Sequence, residues 1–258
     1  MYRLIDTHAH ADELKNLDLM LEEARKGGVI AIVAVGSNHQ SNIRTLEISQ
    51  EHGHFVYPAL GLHPWELANL EPFEIDDTLR FIEQNIASAV AVGEIGLDYD
   101  KRVLRGASKE LQQEVLGQLL NIAKKYIKPV IIHSRYAWTD ALALVQDAGV
   151  DRAVFHWFTG FSSVLKGIID GGYFISATPA ADYHEEHRRA VKEAPLQRVL
   201  LETDCPVTYG RGVRYESQPV DVLRGLKAVS LLKSVDEGTV AEQTTRNAIE
   251  LFSLDIVF

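Results

Sequence analysis

The sequence predicts an α/β protein, a closed (β/α)8 barrel of the TIM type, filling residues 1–258 as a single domain. Three observations predict it. Short apolar, β-branched runs alternate with longer stretches of helical periodicity along the whole chain. No Gly/Ser/Pro-rich linker or low-complexity tract divides them. The 258 residues also match the roughly 250 that eight βα units need. An open doubly wound sheet is the alternative that the same alternation allows.

The runs, in order, are Arg3–Thr7, Val29–Val35, Phe55–Gly61, Ala89–Glu94, Pro129–His133, Ala153–His156, Tyr173–Ser176 and Arg198–Glu202. Their unbroken apolar character suits parallel strands buried on both faces. Leu17–Lys26 reads as the first helix and stops at Gly27-Gly28. Glu110–Tyr126 sets Leu111, Val115, Leu119, Ile122 and Ala123 at helical spacing. Helices over Val220–Lys233 and Asp236–Leu251 follow the last run.

Composition narrows the function. Apolar residues at 46% and charged residues at 24% exclude a disordered chain, a collagen-like repeat and a disulfide scaffold. Lys+Arg of 26 against Asp+Glu of 36 gives a formal charge of 26 − 36 = −10. Such a chain does not attract nucleic acid through its general surface field. An anionic substrate needs a local positive site, either bound metal ions or a few placed arginines. The single cysteine, Cys205, fits a reducing compartment. The first residues carry no apolar leader, and Val29–Val35 is far shorter than the ~20 residues that span a bilayer. A cytoplasmic monomer without membrane association is expected.

The strand ends carry the chemistry. They read Asp6-Thr7-His8-Ala9-His10, Gly93-Glu94-Ile95-Gly96-Leu97-Asp98-Tyr99, Ile132-His133-Ser134-Arg135, His156-Trp157-Phe158-Thr159-Gly160 and Glu202-Thr203-Asp204-Cys205-Pro206. In a barrel these ends converge on one mouth. His8 and His10, two apart on an extended segment, point to one side. Each group alone has a plain structural reading, as a hydrogen-bonded core histidine, a helix cap or a buried ion pair. Together, four imidazoles (His8, His10, His133, His156) and two carboxylates (Glu94, Asp204) at one apolar mouth would cost several kcal/mol per unpaired buried charge. Divalent cations offset that cost, and a mixed N/O donor set suits Zn, Mn, Fe, Co or Ni better than Ca. Six donors exceed the three of an open catalytic zinc site. The excess argues for two ions bridged by a carboxylate, with Glu94 the natural bridge, and hence for hydrolysis.

These motifs, in this order, resemble the TatD family of metal-dependent deoxyribonucleases within the amidohydrolase-type barrels. The similarity runs from residue 3 to Arg246-Asn247-Ala248-Ile249-Glu250-Leu251-Phe252. The resemblance implies that His8, His10 and Asp204 bind a first metal and His133 and His156 a second, with Glu94 bridging. It implies Mg- or Mn-assisted hydrolysis of DNA, often from a strand end, so the expected activity is 3′–5′ exonuclease-type with Zn, Mn or Mg. Trp157 stands where the family commonly has a small residue, and Arg211–Pro219 only partly keeps its basic loop pattern. A small ester, lactone, amide or aminoacyl-RNA ester therefore remains the alternative substrate.

The expected mechanism has Asp204 accept the proton of a water activated between the metals. His63, in Gly61-Leu62-His63-Pro64-Trp65, is a candidate to bind a phosphate or protonate the leaving oxygen, or else caps a turn. Arg135, Arg211 and Arg214 are candidate phosphate contacts or surface charges. Trp65, Trp138 and Trp157 follow strand ends, where they stack on bases or pack the loops. Glu202 and Asp6 are candidates to orient ligand histidines. Asp98 is read as a capping residue, and His39, His52, His54, His184 and His187 as solvated.

Overall fold

The structure is a computed structural model that describes residues 2–256. The expected span 1–258 also takes in Met1, Val257 and Phe258, which lie outside the described residues. Eight parallel strands run in chain order around a nearly closed barrel: β1 (Leu4–Ala9), β2 (Val29–Val35), β3 (Val56–Leu60), β4 (Ala91–Asp98), β5 (Val130–Arg135), β6 (Ala153–Phe155), β7 (Phe174–Ala177) and β8 (Val199–Leu201). The seam between β1 and the chain beyond β8 is joined by Asp204 N–H donating to the His8 carbonyl at 2.8 Å and His10 N–H donating to the Cys205 carbonyl at 2.9 Å. The (β/α)8 expectation is thereby met, and the open sheet is not.

Around the barrel run α1 (Leu17–Lys26), α2 (His39–Glu51), α3 (Pro72–Asn85), α4 (Lys109–Lys125), α5 (Trp138–Ala148), α6 (Ser162–Asp170), α7 (Glu185–Glu193), α8 (Val222–Lys233) and α9 (Glu237–Phe252). Side chains of Asn38, Ser108 and Asp236 accept first-turn N–H groups and start α2, α4 and α9. Among the described residues, no helix is long and apolar enough to cross a membrane.

Two apolar layers hold the barrel. Inward residues such as Ile5, Val33, Ile131, Val154, Phe174 and Leu200 fill its lower interior, and Leu251, Phe252 and Leu254 from the end of α9 plug it from below. The outward residues pack against the helices. The alternation between these layers slips in two strands. On β1, Ile5 belongs to the inner layer and Ala9, four residues on, to the outer one, across a register shift between Asp6 and Ala9. On β4, Ala91 is inner and Ile95 outer, across a shift between Val92 and Ile95. A bulge of this kind re-aims side chains. Here it turns His8, His10, Glu94 and Asp98 to the mouth.

β4 also runs four residues past its expected end at Glu94. Gly96 pairs with His133, and a Cβ at Gly96 would lie 2.0 Å from the His133 carbonyl oxygen. A glycine is what permits this close approach, at a φ of +152°.

Candidate metal centre

Glu94 stands at the middle of the mouth, almost fully buried. Its Oε2 lies 3.3 Å from His8 Nε2 and 3.4 Å from His10 Nε2. The same two nitrogens face Asp204 Oδ1 at 3.4 and 3.5 Å. Its Oε1 lies 2.8 Å from His156 Nε2, 3.0 Å from His133 Nδ1 and 3.4 Å from His63 Nε2. One carboxylate thus separates two groups of donors, His8–His10–Asp204 and His133–His156 with His63 beside them. The six sequence-predicted ligands and His63 come together around it.

The electrostatics follow from this crowding. Burial would raise the Glu94 carboxyl, but the imidazoles of His63, His156 and His8 hold it well below the usual carboxylate range. Asp204 is likewise lowered against its burial, chiefly by His10 and His8. Burial opposes the charged forms of His10 and His156, yet the facing carboxylates push both well above the ordinary imidazole value. His63 goes the other way, because burial prevails and lowers it.

The outer partners differ between the groups. In the second group, His133 Nε2 lies 3.1 Å from Asp98 Oδ2, which also accepts Trp65 Nε1–H at 2.5 Å. His156 Nδ1 lies 3.5 Å from Glu202 Oε1. Trp65 N–H donates to His63 Nδ1 at 3.1 Å, so the neutral ring carries its proton on Nε2, beside Glu94 Oε1. Both ring nitrogens of His8, Nδ1 of His10 and, in the second group, Nδ1 of His156 are buried without a hydrogen-bond partner. Native proteins seldom leave such atoms unpaired, and His8 Nε2, which faces Glu94 and Asp204, is the one that a divalent ion among these N/O donors would satisfy.

Local backbone sets this geometry. Tyr136, Trp157 and Asp204 are non-glycine residues at φ of +57°, +40° and +50°, each just after a strand at the mouth. Trp157 is held there by its N–H, 3.0 Å from both Ser176 Oγ and Glu202 Oε1. Such strained positions persist where the surroundings fix them, and they cluster at functional sites. Upstream of His63, Asn42 of α2 brackets Gly61 with two hydrogen bonds of 2.8 and 2.9 Å.

A cleft of about 830 Å³ opens above the donors. Arg135 lines it, its guanidinium 3.2 Å from Asp100. Arg211 and Arg214 do not line it. Both are exposed on the loop between β9 (Thr208–Tyr209) and β10 (Tyr215–Glu216), with Arg211 5.9 Å from the Tyr183 ring.

One sequence reading is extended and two are corrected. Asp98 does cap the turn after β4, its Oδ1 accepting Asp100 N–H at 2.7 Å, but it is also a fully buried partner of His133, which the capping reading does not foresee. Its spacing gave the signal, since Glu94 and Asp98 are an even number of residues apart on one strand. His187 is fully buried, not solvated. Its Nδ1–H donates to the Phe158 carbonyl at 3.0 Å, and its Nε2 accepts Thr178 N–H at 3.1 Å. Asp6 touches no ligand ring. Its carboxylate accepts from the Thr203 amide at 2.9 Å, the Thr203 hydroxyl at 2.6 Å and the His8 amide at 3.3 Å.

A parallel barrel whose C-terminal mouth gathers histidines around a shared carboxylate defines a metal-dependent hydrolase of the barrel class. Comparison with known proteins sharpens this. The model of the family described as TatD related DNase matches residues 5–253, and the chain belongs to that family. Human deoxyribonuclease TATDN3 is 32% identical over 261 residues, covering 96% of this chain and 94% of its own. The uncharacterized metal-dependent hydrolase YcfH of Escherichia coli (strain K12) is 31% identical, covering 98% and 96%. The crystal structure of the TatD homolog YJJV from Escherichia coli K12 superposes with a TM-score of 0.86 at 28% identity, covering 97% of this chain and 98% of that one.

Proposed function

We propose that the protein is a two-metal phosphodiesterase, a deoxyribonuclease that releases nucleotides from the 3′ end of a strand. The observation that carries this reading is Glu94, with one oxygen facing His8 and His10 and the other facing His133 and His156. His8, His10 and Asp204 would hold one ion and His133 and His156 the other, with Glu94 between them. Zn or Mn suits this nitrogen-rich set better than Mg. The names of relatives, deoxyribonuclease among them, support the substrate class. The reading takes the chain as a cytoplasmic monomer of one domain, consistent with a single, buried, unpaired cysteine.

Bound divalent ions would supply an activated water near neutral pH and stabilise charge on the phosphoryl oxygens. Asp204 accepts the proton of the attacking water, its low pKa keeping it ionised and ready. Glu94 stays anionic and holds the two halves in register. His63, neutral and protonated at Nε2, donates a hydrogen bond to a phosphoryl or leaving oxygen. Arg135 contributes positive charge at the rim; Arg211 and Arg214 reach only a longer strand.

The test is hydrolysis of a 3′-labelled single-stranded DNA oligonucleotide with Mn²⁺ or Mg²⁺. Stepwise nucleotide release is expected, lost in Glu94→Ala and reduced about 10²–10⁴-fold in Asp204→Asn. Turnover that survives Glu94→Ala, or a rate near that of the wild type in Asp204→Asn, would overturn the mechanism. The acidic residues Glu13, Glu66 and Glu186 on the cleft wall favour a second reading, hydrolysis of a small ester, lactone, amide or aminoacyl-RNA ester. Salt separates the two, since phosphate contacts weaken steeply as it rises.

A further inference from the structure

The cleft wall is uneven. Glu13, Glu66 and Glu186 come from the connections after β1, β3 and β7, and their field turns a polyanion away. The wall after β5, opposite β1 in barrel order, is different. It carries Arg135, Tyr136 and Trp138, with Phe161 from the connection after β6 against the indole. The Trp138 ring lies 5.9 Å from Tyr136 at 67° and 5.3 Å from Phe161 at 77°, so neither ring stacks on it. Tyr136 is 59% exposed and Phe161 65%, a large apolar outlay beside water for two rings on one ledge. Tyr136 also occupies the left-handed backbone region, which costs a bulky residue about 1–2 kcal/mol.

We infer that Tyr136, Trp138 and Phe161 form a stacking ledge for the unpaired bases of a single nucleic-acid strand whose scissile phosphate sits at the Glu94 centre. This deepens the phosphodiesterase reading and rests on it. The ledge is continuous with the cleft that holds the metal-ligand candidates. Tyr136 follows His133 by three residues, so its backbone stands within about 11 Å of it, a reach of one or two nucleotides. The Arg135 guanidinium lies 5.6 Å from the Tyr136 ring centre. One ion pair to Asp100 leaves several of its N–H donors for the phosphate between stacked bases. Aromatic faces accept any base, and only unpaired bases present one, so the ledge selects single strands without selecting sequence.

The experiment compares two single-stranded DNA oligonucleotides of equal length, one ordinary and one abasic at the nucleotides flanking the 3′ terminal linkage. Their KM values are measured for the metal-loaded wild type and for Tyr136→Ala/Phe161→Ala. The wild type is expected to favour the base-bearing strand about tenfold or more, and the double variant to bring that ratio near one. Tyr136→Phe keeps the ring and should keep the preference. Turnover of the abasic strand reports that the variant is folded. A double variant that discriminates as the wild type does would overturn the ledge. A wild type that hydrolyses neither strand would overturn the phosphodiesterase reading itself, and the ledge with it.

Discussion

The two sides of Glu94 are built by different means. The His8–His10–Asp204 side is assembled by backbone: the barrel seam joins Asp204 N–H to the His8 carbonyl, and Asp6 ties the His8 and Thr203 amides together. Three of its four imidazole nitrogens are buried without a hydrogen-bond partner. The His133–His156–His63 side is assembled by side chains. Asp98, Glu202 and the Trp65 amide each face a ring nitrogen. The first side has its positions fixed and its lone pairs free. In the second, Asp98 and Glu202 stand beside ring nitrogens as side chains that can be changed singly. The difference teaches that the first side should fail through folding and the second through ligand affinity.

Asp6→Ala attacks the first side and should have the largest effect. It leaves buried N–H groups of His8 and Thr203 without an acceptor, at ~1–3 kcal/mol each, so a loss of about 3–5 kcal/mol in urea unfolding is expected. Asp6→Asn keeps an acceptor oxygen and should recover most of it. An alanine variant as stable as the parent would erase the distinction.

Acid attacks the second side. His187 holds the Phe158 carbonyl, two residues beyond His156, and burial lowers its pKa to about 4. The unfolded chain takes up this proton near pH 6.5, whereas the folded one refuses it until about pH 4. Stability from this group is therefore full above pH 6.5 and lost as pH falls toward 4, by about 3 kcal/mol. His187→Gln should flatten that part of the pH profile. A profile that keeps the wild-type slope would show that other groups govern it.

Asp98→Asn sharpens the comparison with the smallest change. It should weaken metal binding by about 10–100-fold in one of two steps and leave the other intact. Calorimetric titration with Mn²⁺ or Zn²⁺ reads this directly. Equal weakening of both steps would mean that the sides are not separable.

Much of this was legible in the sequence. Eight apolar runs gave the strands, and the polar residues ending them gave every member of the cluster around Glu94. Helices α2, α3, α5, α6 and α7 were not singled out. The stretch that forms α2, for example, mixes polar residues into the buried face, with Ser41, Asn42 and Thr45 inside. The contact of Asp98 with His133 was missed because the apolar run ends at Glu94, and the pairing of Gly96 with His133 that carries β4 on to Asp98 is a long-range fact. His187 was missed because its acceptor and donor, Phe158 and Thr178, lie on other connections. The Tyr136–Phe161 ledge joins residues 25 positions apart, which no local pattern reveals.

The two register slips in β1 and β4 act like dislocations in a crystal. Below each slip the lattice of inward aliphatic residues is undisturbed, and above it the phase is reversed. A defect confined to a few residues lets the mouth follow one set of rules and the floor another. The mouth's inventory of donors can then be rewritten, residue by residue, while Ile5, Ala91 and the α9 plug beneath them never change neighbours. Fold and chemistry are thereby separated along a single strand.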